Sequence, residues 1–370
     1  MIRRVIDALA VRWLKKQGYS AYMAPLAWSK FSDDLFRNRH YTLRQKLWAY
    51  RRGFLSERIG RYRLSEANHA SHLPDVPYLR MHPINGSYSK WIDDKLTMRY
   101  VFNNHARYLP EYYFEVHNGR VVPLIDCPLP ERSGRSPGSL VSLLRRHTRL
   151  ALKPWAGSGG EGFCKLAACG DQLYLNDQEV SERGLTEFLG SLRNHIVTEY
   201  LTSHPAIQRI YDATPNTLRL MVIHDECEGP QIIGAIMRFG VRESGQVDNV
   251  GAGAIYCGVD VRDGRMFRPR RYTDGSAIDA DSCHPDTGVE IAGHLPNWTI
   301  ITSGIGEIAR DFPQLRYIGY DVIITESGFK IIEMNSHQAL GGVQDYYPLM
   351  ENEYCRRLFA PLLLRARQPG

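Results

Sequence analysis

From about residue 90 onward, apolar and polar positions alternate in short runs. TLRLMVIHD, GPQIIGAIMRFG and IGYDVIITESGFKIIEMN keep a period of two, which predicts antiparallel hairpins with one face turned inward. YLPEYYFEVHNGRVVPLI and the segment from Phe163 to Val180 read as further strands broken by turns, and HIVTEYL as a buried strand. LVSLLRRHTRLALKP reads as a short helix running into a strand. SERGLTEFLGSLR, TIITSGIGEIARDF and YYPLMENEYCRRLFAPLLLRA carry helical periodicity. Strands joined by turns, without regular strand–helix–strand repetition, predict an α+β body.

The first ninety residues follow a different pattern. Ile2, Val5, Ile6, Leu9 and Trp13 fall on one stripe of a predicted helix, with Arg3, Arg4, Arg12, Lys15 and Lys16 mostly elsewhere. Such a helix can lie on an anionic membrane, dock on a partner or pack on its own body with a solvated basic face, and packing is the preferred expectation for residues 1–16. Residues 20–70 continue helical and aromatic-rich, and Pro74, Pro77 and Pro83 mark a connector. The predicted organisation is a helical basic region over 1–89, a first lobe over 90–200 and a second over 201–370.

Composition narrows the classes. A chain of 370 residues with 43% hydrophobic and 23% charged content suits two or three packed lobes of a soluble globular protein. The net charge of +6 is uneven: up to Arg63 there are 15 Lys and Arg against 4 Asp and Glu, leaving 31 against 36 in the remainder. No nucleic-acid-binding motif accompanies the basic segment, so no nucleic-acid partner is expected. No run of 18 apolar residues predicts a membrane span, and the amino-terminal stretch makes a poor secretory signal. Seven scattered cysteines without a C-x-x-C pair argue against a disulfide framework or a zinc site. The expected location is the cytoplasm.

The stretch LKPWAGSGGEGF, residues 152–163, satisfies G-x-G-x-x-G through Gly157, Gly159 and Gly162. A dinucleotide-binding loop requires a helix next, and here GFCKLAACGDQLYL reads as a returning strand. A Walker loop ends in Gly-Lys-Ser/Thr, and this one ends in Gly-Phe-Cys. What is left is a hairpin whose glycines let backbone N–H groups approach phosphates, with Lys153 just before it, or else a plain turn beside a surface lysine.

The second informative stretch is IGYDVIITESGFKIIEMNSHQ. A turn centred on Glu326, Ser327 and Gly328 sets Asp321 opposite Glu333, with Asn335 projecting to the same side. Two carboxylates and a carboxamide form an oxygen-rich site suited to magnesium, and the facing like charges favour a cation between them. The opposite face, Tyr320, Val322, Ile324, Ile332 and Met334, is expected to be core.

With Lys153, the glycine loop and the Asp…Glu-x-Asn hairpin in order, the chain resembles the ATP-grasp superfamily. It is most similar to the sugar-transfer-associated branch related to α-L-glutamate-ligase-like proteins. That resemblance implies an ATP-grasp fold of two α+β subdomains clamping ATP. It implies phosphate contacts from Lys95 and Lys153, and a flap of Gly157, Ser158, Gly159, Gly160 and Gly162. Adenine would be read by the backbone of Glu199, Tyr200 and Leu201, and His204 would lie near the ribose. Arg219 and Arg238 match arginines facing the transferred phosphate, and Asn249, Gly251 and Gly253 a signature near the acceptor. Asp321, Glu333 and Asn335 match metal ligands, and His337 follows them as an acceptor contact or a satisfied polar residue.

The activity implied is an ADP-forming carboxylate–amine ligation through an acyl-phosphate. It uses ATP, Mg2+ and small-molecule substrates: an amino acid, and a uronic acid or sugar conjugate in polysaccharide or natural-product biosynthesis. Two alternatives stay open at this point: a kinase acting on a sugar or polyol hydroxyl, and a nucleotide-binding subunit without turnover.

Overall fold

The structure, a computed structural model, describes residues 2–129, 136–157, 160–273 and 276–367. Two antiparallel seven-stranded sheets carry it. The first contains β1 (Tyr112–His117), β2 (Arg120–Pro123), β3 (Arg149–Pro154), β4 (Cys164–Cys169), β5 (Gln172–Leu175), β6 (Gln178–Val180) and β7 (His195–Glu199), in the order β2-β1-β7-β3-β4-β5-β6. The second contains β8 (Leu218–Asp225), β9 (Gly229–Phe239), β10 (Ile255–Val259), β11 (Met266–Thr273), β12 (Ser276–Asp279), β13 (Tyr317–Thr325) and β14 (Gly328–Asn335), in the order β12-β11-β10-β9-β8-β13-β14.

In the first sheet, alternation separates a core face from a cleft face. Leu150, Leu152, Leu166 and Val197 are fully buried beneath the helices Pro137–His147 and Glu182–Ser191. Their neighbours Ala151, Lys153 and Thr198 point the other way, into a cleft. Helix Glu182–Ser191 starts where the Ser181 hydroxyl accepts the Gly184 N–H, and its Leu185 and Leu189 supply the buried face.

The second sheet is covered on both faces. On one, Leu218, Leu220, Val222, Tyr320, Val322 and Ile324 pack with Ile301, Ile305 and Ile308 of helix Trp298–Asp311. On the other, Met221, Ile223 and Tyr317 pack under Leu73 and Tyr78 from the connector and Leu358 and Phe359 from the helix Glu353–Arg367. That cover stops partway along the strands. Arg219, Arg238, Asp321 and Ile323, on the same face further along, open into the cleft.

Two expectations are corrected here. Ile92, Met98, Phe102 and Leu109 pack into the second sheet's core, with the Phe102 and Phe312 rings 4.2 Å apart. The boundary drawn at residue 90 therefore does not separate the cores, because the helices before β1 bury their apolar side against the second lobe. The amino-terminal helix Ile2–Lys16 does pack on the body, but not through the expected stripe. Val11 and Leu14 face Tyr19, Met23, Ala24 and Ala27, while Val5, Ile6, Leu9 and Trp13 stay in solvent.

The helical region is nonetheless anchored to the second lobe. The carboxylate of Asp345, fully buried, accepts from Arg61 Nε at 3.0 Å and Nη2 at 2.9 Å and from the Tyr256 hydroxyl at 2.5 Å.

Candidate active site

The cleft between the two sheets encloses about 1090 Å³, open solvent at its mouth included. Lys95, Lys153, Gly157, Gly160, Glu199, Tyr200, Leu201, Arg219, Arg238, Asn249, Asp321, Glu333 and Asn335 all line it. Residues predicted from seven separated stretches of sequence thus meet in one place.

The glycine stretch is a hairpin. β3 pairs antiparallel with β4, Leu152 opposite Cys164, so no helix follows the loop. Gly157 and Gly162 have φ of +129° and +74°, a region L side chains rarely adopt, which is why glycine stands there. Gly160 lies so close to Val247 that a Cβ would fall 2.5 Å from the valine side chain. The loop thus reaches across to the second lobe. Gly162 sits against Pro154 rather than in the cleft lining, and Ser158 and Gly159 lie outside the described residues.

Lys95 begins a helix capped by Asp94, whose carboxylate accepts the Thr97 N–H at 2.6 Å. Its Nζ donates to Gly157 O at 3.1 Å and stands 3.5 Å from Glu333. Lys153, on β3, has a weaker environment. Its Nζ is 3.5 Å from Ile332 O and 5.8 Å from the centre of the Tyr112 ring. Burial, and then the neighbouring Lys95 ammonium, pulls its pKa down to about 7, against a partial pull upward from Glu333.

The second-sheet wall is built of paired charges. Arg219 grips Asp321 with two nitrogens, and Arg238 Nη2 reaches the same carboxylate at 3.1 Å. Burial pushes the Asp321 carboxyl up, but the two guanidinium groups outweigh that and hold it below its ordinary value. Glu333 has its nearest cation in Lys95, with Arg219 and Lys153 acting from further off, and burial outweighs them and raises its pKa. Arg238 Nε also donates to Thr217 Oγ1 at 2.9 Å, and Thr217 donates its backbone N–H to Asp248 at 2.7 Å. Burial raises the Asp248 carboxyl, although Arg238 pulls it down.

Asp321 does face Glu333, by a different route from the counting. The turn is tighter, with Thr325 opposite Gly328, and a bulge between Asp321 and Val322 inserts one extra residue, Ile332. The bulge moves Ile332 out of the expected core and into the cleft lining; Ile331, fully buried, takes its place. With Ala151, Ile323 and Leu201, Ile332 makes the apolar part of the cavity.

The donor set fits magnesium: two carboxylates and a carboxamide are hard oxygen ligands. Among the described residues the buried Nδ2 of Asn335 has no hydrogen-bond partner, so the fold does not hold that amide through its nitrogen. The like-charge argument for a metal is weaker than the sequence alone implied, because Lys95, Arg219 and Arg238 already balance the two carboxylates.

Besides Gly162, four predicted residues stand apart from the cavity. His204 Nδ1 accepts the Ala206 N–H at 3.1 Å, and the His204 backbone N–H donates to Ile324 O at 2.7 Å; the residue fastens the linker to the second sheet. The His337 ring stacks on Tyr78, centres 4.1 Å apart, outside the cavity lining. Gly251 and Gly253 form a turn beneath Asn249, whose Oδ1 accepts the Gly251 N–H at 2.9 Å. Thr217, Asp248, Ile323 and Ile332 were missed. The period-two rule placed Ile323 beside Asp321 and could have found it; the bulge hid Ile332, and nothing local marked Thr217.

Comparison with known proteins places this geometry in a class. The profile of the sugar-transfer associated ATP-grasp family matches residues 82–347, and the chain belongs to that family. Its two antiparallel sheets closing on one cleft are accordingly the ATP-grasp fold. No curated protein matches. Among solved structures, it is similar to carboxyaminoimidazole ribonucleotide synthase from Aspergillus clavatus complexed with ATP. The identity is 9% and the TM-score 0.36, over 68% of this chain and 46% of that one. D-alanine–D-alanine ligase from Bacillus anthracis is similar at 11% identity and TM-score 0.37, over 75% of this chain and 68% of that one. L-amino acid ligase from Bacillus licheniformis gives 9% and 0.40, over 79% and 50%. The chain thus spans about half the length of the first and last of these.

Proposed function

We propose that the protein is an ATP-dependent carboxylate–amine ligase that forms an amide through an acyl-phosphate. The observation carrying this reading is the meeting of Lys95, Lys153, Arg219 and Arg238 with Asp321, Glu333 and Asn335 between the two sheets. Phosphoryl transfer asks chiefly for positioning and charge neutralisation, and these side chains supply both.

In this reading the adenine lies between Ala151, Ile332 and Leu201, beside the backbone of Glu199, Tyr200 and Leu201, where β7 ends. Lys95 and Lys153 receive the phosphates, and the glycine hairpin covers them. Arg219 and Arg238 are held in place by Asp321 before any substrate arrives, so they pay little reorganisation when charge builds on the transferred phosphoryl group. A carboxylate oxygen attacks the γ-phosphorus, and the bond to the bridging oxygen breaks with its electron pair leaving on ADP. The amine nitrogen then attacks the acyl carbon, phosphate departs, and the nitrogen loses a proton to solvent. A closed hairpin keeps water from the acyl-phosphate. Magnesium, held by Asp321, Glu333 and Asn335, would neutralise phosphate charge there.

The substrates proposed are an amino acid and a second small carboxylate or amine, such as a uronic acid or sugar conjugate, for polysaccharide or natural-product biosynthesis. The test follows ATP with magnesium by phosphorus NMR against pools of acidic sugars and amino acids. ADP and free phosphate that require both a carboxylate and an amine are the expected result. Phosphate retained on an organic product would mean a hydroxyl kinase, and binding without turnover a non-catalytic subunit; either overturns the ligase.

A further inference from the structure

The most unusual surface lies outside the family match, in the helix Ile2–Lys16. One side of this helix is satisfied: Val11 and Leu14 pack on the next helix, and its only acid, Asp7, accepts the Trp28 Nε1–H at 2.7 Å. The other side is apolar and bare. Val5, Ile6, Leu9 and Trp13 are 54%, 51%, 62% and 59% exposed. Their spacing of three and four residues stacks them along one ridge. Arg12 and Lys16, three and seven residues beyond Leu9, border that ridge, and with Arg4 and Lys15 they too are exposed.

We infer that this ridge docks the protein on an anionic phospholipid surface. An apolar stripe edged by cations, with the acid turned inward, complements a bilayer whose interface is apolar beneath and negative above. The helix has 15 residues, and no described helix is long and apolar enough to cross a membrane, so the contact is peripheral. Further along the basic segment Arg52, Arg58 and Arg61 are paired with Glu66, Asp75 and Asp345, so the positive field at this surface comes from the helix's own exposed cations. A second copy of the chain is the poorer occupant. Pairing two such ridges about a twofold axis would bring Arg4, Arg12, Lys15 and Lys16 of both copies together.

Co-sedimentation of the full chain with phosphatidylcholine vesicles, with and without phosphatidylglycerol, tests this. Binding is expected only with phosphatidylglycerol, and weakening with added salt. Leu9→Glu should reduce it at least about tenfold, because one large apolar side chain no longer enters the interface. Arg12→Glu and Lys16→Glu should each reduce it about fivefold or more. These positions are solvent-exposed, and unchanged circular dichroism of each variant would confirm an intact fold. No binding to either vesicle overturns the proposal. So does binding that ignores phosphatidylglycerol, or a lipid-free dimer in sedimentation velocity that Leu9→Glu dissolves.

Discussion

The two walls of the cleft meet the same ligand by opposite means. The second-sheet wall is charge-paired in advance: Arg219 and Arg238 share Asp321, and Lys95 stands by Glu333. The first-sheet wall brings Lys153, with no carboxylate in hydrogen-bonding range among the described residues, beside Ala151 and the Tyr112 ring, and its pKa falls to about 7. One wall holds its charges rigidly for the folded state; the other carries an unpaid desolvation that an anionic ligand relieves. Stability and binding should therefore separate between the walls.

The sharpest break of this contrast is Glu333→Gln. It should lower turnover by roughly a thousandfold or more while thermal unfolding stays close to that of the parent, since only the Lys95 contact is lost. Turnover that survived would dismiss the assigned ligand set. Next comes Arg219→Met, which leaves Asp321 buried with one guanidinium. It should cost about 3–5 kcal/mol of stability in urea unfolding, besides activity. Lys153→Met is the informative opposite. Calorimetry should find ATP binding weakened about tenfold to a hundredfold, with stability unchanged or higher, because a desolvated ammonium has been removed.

The smallest effect is a pH dependence. Phosphate beside Lys153 raises its pKa above the free value of about 7. The lysine's contribution to ATP affinity is then complete below pH 7 and is lost as pH rises through the higher, ligand-bound value. ATP titrations at rising pH above neutrality should give weaker binding with proton uptake. Lys153→Met should flatten that slope.

Much of the second wall was legible because hairpin arithmetic is local. Asp321, Glu333 and Asn335 follow from period two and a turn, and the register held for the carboxylates. It failed at Ile332 because a two-residue turn and a bulge gave the same carboxylate pairing as the wider turn assumed, and only the residue between them reveals the difference. The paired character of Asp321 was not legible at all. Arg219 lies opposite it across β8, some hundred residues away, a strand pairing fixed by the fold rather than by any local pattern. The amino-terminal helix failed for a related reason. Its stripe gave the apolar face, but periodicity does not say whether that face is covered, and the packing went to Val11 and Leu14 instead.

Once the acceptor screen has identified the carboxylate, oxygen tracing reaches the chemistry directly. The carboxylate is labelled with oxygen-18, and the phosphate released with ADP is examined by phosphorus NMR. Attack of that carboxylate on the γ-phosphorus predicts one labelled oxygen in each phosphate released and one lost from the amide product. Unlabelled phosphate alongside amide formation would contradict the acyl-phosphate, and with it the role given to the two walls.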